Sequence, residues 1–182
     1  TDTFRVREHV NRIGALANFT ADISSRDTLN FGFQYERTQN DGASWGTNVP
    51  IWYADGTKTN LSRSTNPAAD WSQATRDQYT AFINYDHDFS AGWHLKAGYM
   101  RTQGSSYNNL GVAKINNATR KTYGGFWNQD GTGAYLNALH AEYEDARDNA
   151  DVHVSGPVHF LGHEHQLVFG FNGYNDELTQ YT

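Results

Sequence analysis

Apolar side chains recur at every second position along this chain, a period that fits strands with one apolar face each. Leu29, Phe31, Phe33 and Tyr35 alternate with Asn30, Gly32, Gln34 and Glu36. Tyr79, Ala81, Ile83 and Tyr85 do the same, with Phe82 out of phase, and Trp93, Leu95, Ala97 and Tyr99 repeat the pattern. Ile13, Ala15, Ala17, Phe19, Ala21 and Ile23 form a run near the start, and Leu167, Phe169 and Phe171 one near the end. A further run, Val152, Val154, Val158 and Phe160, skips a beat at Gly156-Pro157. The pattern predicts an all-β chain, an antiparallel up-and-down meander of about six strands.

The connections come in two sizes. Ser24-Ser25-Arg26-Asp27, Ser90-Ala91-Gly92 and Leu161-Gly162-His163-Glu164 are tight. The segments at about 39–75 and 103–134 are long and carry Asp-Gly, Gly-Gly, Asn-Asn and Asn-Pro turn signals. Structureless loops beyond about 12–15 residues are uncommon in compact soluble domains. Alternating short turns and long loops instead suit a transmembrane outer-membrane β-barrel, with turns in the periplasm and loops outside. The run lengths agree with the roughly 9–11 residues of a tilted spanning strand. Phe89, Trp93 and Phe160 flank short turns, while Tyr35, Tyr79 and Tyr99 lie toward the long loops, as two aromatic girdles would. A soluble sandwich alternates in the same way and is the competing fold. One stretch breaks parity: Leu139, Ala141 and Tyr143 are odd-numbered, whereas the later apolar residues are even-numbered. A bulge within 142–151 would shift the alternation by one, and a turn would add a strand. One long strand reaching the Leu161 turn is the preferred reading.

Composition supports strands. The 182 residues include 11 Tyr, 10 Phe, 5 Trp and 17 Gly but 3 Pro, and aromatic and β-branched side chains suit a pleated surface. Mean hydropathy is −0.76. Without cysteine, neither a disulfide framework nor a thiolate metal site can form. A net charge of −6 disfavours a nucleic-acid surface. No run of 18 apolar residues is present to form a transmembrane helix. The chain starts without Met or a signal peptide, and both ends lie in patterned segments, 1–10 and 167–182, so an internal fragment is expected.

Several motifs resemble TonB-dependent ferric-siderophore receptors of the ferric-pyoverdine and hydroxamate type. Ser155-Gly156-Pro157-Val158-His159-Phe160-Leu161-Gly162-His163-Glu164-His165-Gln166-Leu167-Val168-Phe169-Gly170 is similar to that family's periplasmic hairpin, with His163 in place of the usual Arg and Gln166 in place of Glu. Trp45-Gly46, Asn48-Val49-Pro50, Tyr53-Ala54-Asp55-Gly56, Ser62-Arg63-Ser64-Thr65-Asn66 and Asp70-Trp71-Ser72 resemble its first-loop pattern. Phe89-Ser90-Ala91-Gly92-Trp93 matches its short turn. The resemblance implies residues 1–182 of a partial barrel domain, lacking the plug and the closing C-terminal strand of a 22-stranded receptor. It implies binding and import of ferric siderophores, with outer-membrane lipid around the wall and the TonB-ExbB-ExbD complex engaged through the missing parts. Such a piece alone would be an open, curved sheet.

In that reading the ligand meets the long loops. The candidate contacts are Trp45, Trp52, Tyr53, Arg63 and Trp71 in the first, with Tyr107, Tyr123 and Trp127 in the second. Aromatic faces pack on a bulky chelate while polar edges donate hydrogen bonds, and Arg63, Arg76, Arg101, Arg120 and Lys121 suit anionic or carbonyl oxygens. The alternative is that these side chains pack the loops or the outer girdle. Iron arrives already chelated, so no protein-bound cofactor or metal ligand is required. His163-Glu164-His165, with His153 and His159 nearby, lacks zinc-protease spacing and reads as a polar turn. Glu142, Glu144, Asp145, Asp148 and Asp151 lack the order of a calcium loop and read as a solvated extension. Asp86-His87-Asp88 reads as periplasmic solvent contact. Asn30, Gln34, Glu36, Asn84, Asp86, His94 and Lys96 would line a wet lumen. No nucleophile or paired-carboxylate motif has a credible setting, so catalysis is not expected. A porin-like channel and a carbohydrate-binding β-sandwich are the competing functions.

Overall fold

The computed structural model describes residues 3–44, 49–115 and 127–181. They form one six-stranded sheet in the order β1-β2-β3-β4-β5-β6. The strands are β1 (His9–Asp22), β2 (Asp27–Asp41), β3 (Gln73–Asp88), β4 (His94–Ile115), β5 (Ala134–Phe160) and β6 (His163–Tyr181). Every neighbouring pair is antiparallel. The expected meander is present, and among the described residues no second sheet covers it, as a sandwich would require.

The registers align the sequence runs into one face. Phe19 lies opposite Phe31, Phe31 opposite Ile83, Ile83 opposite Tyr99, Leu95 opposite Val154 and Val154 opposite Phe169. This outer face remains uncovered: Ile13, Phe19, Phe33, Phe169 and Phe171 are all exposed. So large a contiguous apolar surface requires a partner phase. The inner face carries the expected polar set. Asn30 donates to Asn18 Oδ1 at 2.8 Å and Thr20 Oγ1 at 2.9 Å, Asn84 donates to Asn30 Oδ1 at 3.3 Å, and Lys96 pairs with Asp86 at 3.3 Å. Phe82 also lies on this face, where its ring occupies the space a Cβ on Gly32 would need.

β5 is the one long strand expected to reach the Leu161 turn, and two finer expectations are corrected. The β4–β5 register runs unbroken from His94↔Ser155 to Ile115↔Ala134, and the β5–β6 register from Phe160↔His163 to Glu142↔Tyr181, so β5 contains neither bulge nor turn. The parity change is instead an exchange of character between faces. Toward the turns, Val152, Val154 and Phe160 point outward and Asp151 and His153 inward; toward the loops, Glu144 and Asp148 point outward, and Ala141, on the inner face, is fully buried. Leu110 and Val112 of β4 are likewise buried on the inner face, at the end of β4 that the returning segment 68–72 pairs with. Secondly, Gln103 lies well inside β4, which continues to Ile115. The second connection is therefore 116–133 rather than 103–134, and the first is 42–72. At about 3.4 Å per residue, the 27 residues of β5 extend for roughly 90 Å, far beyond a bilayer core of about 30 Å.

The short turns are tighter than expected at one place. Leu161 and Gly162 both have positive φ, 52° and 79°, and form a two-residue hairpin turn, so His163 and Glu164 already belong to β6. At the β3–β4 turn, Phe89 N donates to Trp93 O at 2.8 Å. The skipped beat at Gly156-Pro157 also has a cause. A Cβ on Gly156 would lie 2.3 Å from the Trp93 ring, so the indole occupies the outward position that glycine leaves open. Pro157 lies two residues past Ser155, the last residue paired with β4, where proline is tolerated. Replacing Gly156 by valine should destabilise the wall by about 1–3 kcal/mol through overpacking. A urea titration reads this, and pairing it with Trp93→Ala should recover part of the loss. Lack of any recovery would contradict the packing assignment.

Candidate functional site

The loop end of the sheet is built on a locked seat. Gly42 N donates to Ser72 O at 2.7 Å, closing the ends of the first connection. Ser72 is buried, donates its hydroxyl to Gly111 O at 3.1 Å and accepts from Gly111 N at 2.8 Å. Ala69 N adds a bond to the same carbonyl at 2.9 Å, and Ala68 bridges to Val112, so the returning segment extends the edge of β4 beyond the start of β3. Asn66, also buried, donates to Gly42 O at 2.9 Å and accepts from Ala68 N at 3.0 Å. Arg7, ahead of β1, donates to Asn66 O at 3.3 Å and Ala68 O at 3.2 Å and pairs with Asp70. Three pieces of chain distant in sequence therefore meet at one corner.

Farther out, residues 50–59 form a small hairpin with Thr59 N on Ile51 O at 2.8 Å and a Trp52–Lys58 bridge. Its tip is an Asp-Gly-Thr turn. Tyr53 N donates to Thr57 O at 2.7 Å, Gly56 N to Tyr53 O at 3.0 Å, and Asp55 Oδ1 accepts from Thr57 N at 2.9 Å and Thr57 Oγ1 at 2.7 Å. The second connection repeats this turn. Asn128 N donates to Thr132 O at 2.7 Å, Gly131 N to Asn128 O at 3.0 Å, and Asp130 Oδ1 accepts from Thr132 N at 3.0 Å and Oγ1 at 2.7 Å. Gly56 and Gly131 have φ of 87° and 82°, which explains glycine at both. The two turns are clasped: Ala54 N donates to Trp127 O at 2.7 Å, and Gln129 Nε2 donates to Asp55 Oδ2 and Thr57 Oγ1, each at 2.9 Å.

Hydrogen bonds from Thr57 hold the Asp55 carboxyl below the usual carboxylate range, and those from Thr132 do the same for Asp130. A depressed folded value means that the stabilisation is complete above the ordinary value of 3.8 and is lost as pH falls through the lowered one. The turns should therefore be insensitive to pH between about 5 and 8 and loosen only in stronger acid. Emission of Trp127, taken as the difference from a Trp127→Phe variant, would show this; a transition near pH 6 would contradict it.

Below the loops, the inner wall carries an ion pair spanning three strands. Arg76 of β3 reaches Asp145 of β5 at 3.0 Å and Ser106 Oγ at 3.1 Å, passing over Gly104 of β4, whose missing side chain leaves the room.

The candidate residues separate by location. Trp52 and Tyr53 belong to the clasped hairpin and Trp127 to the segment it binds. Trp52 is exposed, Tyr53 and Trp127 are half-buried, and Arg63 is exposed in the first connection. Trp71 and Tyr107 lie elsewhere. Trp71 packs over Gly111, an outward position of β4, and Tyr107 projects from the outer face against His140 at 5.2 Å between ring centroids. Trp45, Tyr123, Arg120 and Lys121 lie outside the described residues. Arg101 is tied to Asp148 on the outer face at 2.9 Å. Arg7 and Gln129 were not singled out from sequence; for Gln129 the signal was the repeated Asp-Gly-Thr at 55–57 and 130–132.

The other charged motifs are taken up structurally. His163 and His165 share one face of β6 while Glu164 points to the other. Glu142, Glu144 and Asp148 lie on the outer face and Asp145 and Asp151 on the inner face of β5, within a strand rather than a solvated extension. Asp86 and Asp88 pair with Lys96 and with His94 (2.6 Å) instead of meeting solvent alone. At the same end Asp27 accepts from Ser24, from Tyr85 at 2.5 Å and from His87 at 2.6 Å. Among the described residues no three His, Asp or Glu side chains converge as metal ligands.

No protein-family model matches the chain. It is 28% identical over 149 residues to the ferripyoverdine receptor of Pseudomonas aeruginosa, covering 82% of this chain and 17% of that protein. To the ferric-pyoverdine BN7/BN8 receptor of Pseudomonas putida it is 28% identical over 160 residues, covering 88% and 18%. The chain thus spans less than a fifth of the length of these relatives. In fold it is similar to the crystal structure of the Pseudomonas aeruginosa outer-membrane ferripyoverdine receptor bound to ferripyoverdine, with a TM-score of 0.85 and 24% identity over 98% of this chain and 23% of that one. The ferric preacinetobactin receptor of Acinetobacter baumannii matches with a TM-score of 0.74 and 16% identity, over 100% of this chain and 25% of that one.

Proposed function

We propose that this chain, a relative of the outer-membrane siderophore receptors in sequence and fold, supplies six wall strands and two extracellular connections to a receptor that binds and imports a ferric siderophore. Its place is the bacterial outer membrane, with the apolar outer face on lipid and the polar inner face on the lumen. The observation that carries the reading is the arrangement at the loop end, where two aromatic connections are clasped together beyond a wall whose inner face carries the Arg76–Asp145 pair. Pyoverdine-type or hydroxamate chelates are the proposed ligands, because pyoverdine receptors are the relatives in sequence. Iron would enter already chelated, so the protein need supply no iron ligand, only aromatic surface and hydrogen-bond donors. Import would use the TonB-ExbB-ExbD complex through parts of the receptor beyond this segment. The relatives are receptors rather than enzymes, and no catalytic role is proposed. Clasped aromatic loops favour a binder over a porin-like sieve.

The test is a tryptophan-fluorescence titration of the full-length receptor in detergent with a panel of ferric siderophores. Saturable quenching by one chelate, reduced in Trp52→Phe and Trp127→Phe, is expected. Trp71→Phe and Tyr107→Phe should leave the affinity unchanged, because both side chains lie on the outer face. No response to any chelate, together with solute flux through reconstituted protein, would favour the channel instead.

A further inference from the structure

We propose that Gln129 is a positioning residue that joins the two extracellular connections into one ligand-facing unit, with Asp55 and Thr57 as its acceptors. The proposal rests on the receptor reading and adds the device that sets the loops relative to each other. One carboxylate oxygen of Asp55, Oδ1, is occupied by its own turn through Thr57, and the other, Oδ2, accepts from Gln129. Thr57 donates its hydroxyl to Asp55 and accepts with the same oxygen from Gln129. Both hydrogens of a single side-chain amide are therefore matched to two acceptors, a carboxylate oxygen and a hydroxyl whose own hydrogen points to Asp55 Oδ1, which fixes the orientation of the amide.

The coupling has a rigid base. The first connection is locked to β4 through Ser72 and Gly111 and to the segment before β1 through Arg7. The clasp carries that fixed position to Trp127, whose carbonyl accepts from the buried Ala54 amide. A ligand that orders either loop then orders the other, and the coupling is reciprocal.

The test uses the full-length receptor and three variants. Gln129→Glu sets two carboxylates against each other. Asp55→Asn alone sets two amides together. Combining them restores one of the two bonds with reversed polarity: the new amide keeps its oxygen for Thr57 and turns its nitrogen to the new carboxylate, while the Thr57 hydroxyl, its one hydrogen already given to residue 55, gains no partner at residue 129. Ferric-siderophore affinity should fall about tenfold in Gln129→Glu, and exchange of the Ala54 amide should accelerate. Both should recover in part in the double variant. The proposal is overturned if Gln129→Glu leaves Ala54 exchange unchanged, if it speeds exchange without weakening affinity, or if the double variant recovers exchange but not affinity. Exchange is measured without ligand. A receptor that binds no chelate therefore defeats the receptor reading, while the clasp is still judged by whether exchange accelerates and recovers.

Discussion

Phe31→Arg is expected to destabilise the assembled barrel by about 2–4 kcal/mol, the cost of a cation at the midplane of such a wall. Phe31 lies midway along the apolar run of β2, between Phe19 on one neighbour and Ile83 on the other. Its ring stacks on Phe19 with centroids 5.6 Å apart, so an aromatic contact of about 0.5–1.5 kcal/mol is lost as well. The stacked Tyr35–Tyr79 pair, at 5.0 Å, marks the loop-side boundary of the band, too far along the strand for a short snorkel. Gln34→Arg is the matched control: three residues away on the same strand but facing inward and exposed, it should change stability by less than about 0.5 kcal/mol. Urea titration of the full-length protein in lipid vesicles separates the two. Equal stability of both variants would mean that the faces are reversed.

Gly42→Val should release the first connection from the wall without unfolding the strands. Gly42 has φ of 69°, and a Cβ there would lie 2.1 Å from the Arg7 carbonyl oxygen. The obstacle is backbone on both sides, so no rotamer relieves it. The left-handed conformation alone costs a β-branched residue about 1–2 kcal/mol, and the overlap adds about 1–3 kcal/mol. The Asn66 bond to the Gly42 carbonyl and the Arg7 bonds to Asn66 and Ala68 would go with it. Rapid proteolysis within 42–72 and loss of the proposed ferric-siderophore binding are expected, while the heat-modifiable gel mobility of the barrel persists. Unchanged loop cleavage would show that the corner does not hold the connection.

Both predictions draw on features read at different levels. The alternation around Phe31 needed only the sequence, because lipid on one side and water on the other impose a strict period of two. The same rule failed for residues 103–115. There Ser105, Ser106, Asn108, Asn109 and Gly111 look like loop, yet they form strand, held by the unbroken ladder to β5. Above the membrane the outer face meets water and the inner face meets connecting segments. The apolar face therefore changes sides at Leu139 and Ala141 without any change of register, which from sequence looked like a bulge. Trp71 and Tyr107 show the same limit, since an aromatic residue near a loop carries no local mark of the side it faces.

The strand period, the three short turns and the aromatic girdles were determined by the sequence alone, because each depends on neighbours one or two residues away and on the surrounding phase. Tertiary structure alone decided how far the strands continue beyond the lipid, that Trp71 and Tyr107 face outward, and that the Asp-Gly-Thr turns at 55–57 and 130–132 meet. Those outcomes depend on contacts such as Gln129 with Asp55, 74 residues apart, whose geometry is set by the register of the two intervening strands, β3 and β4, rather than by any local preference.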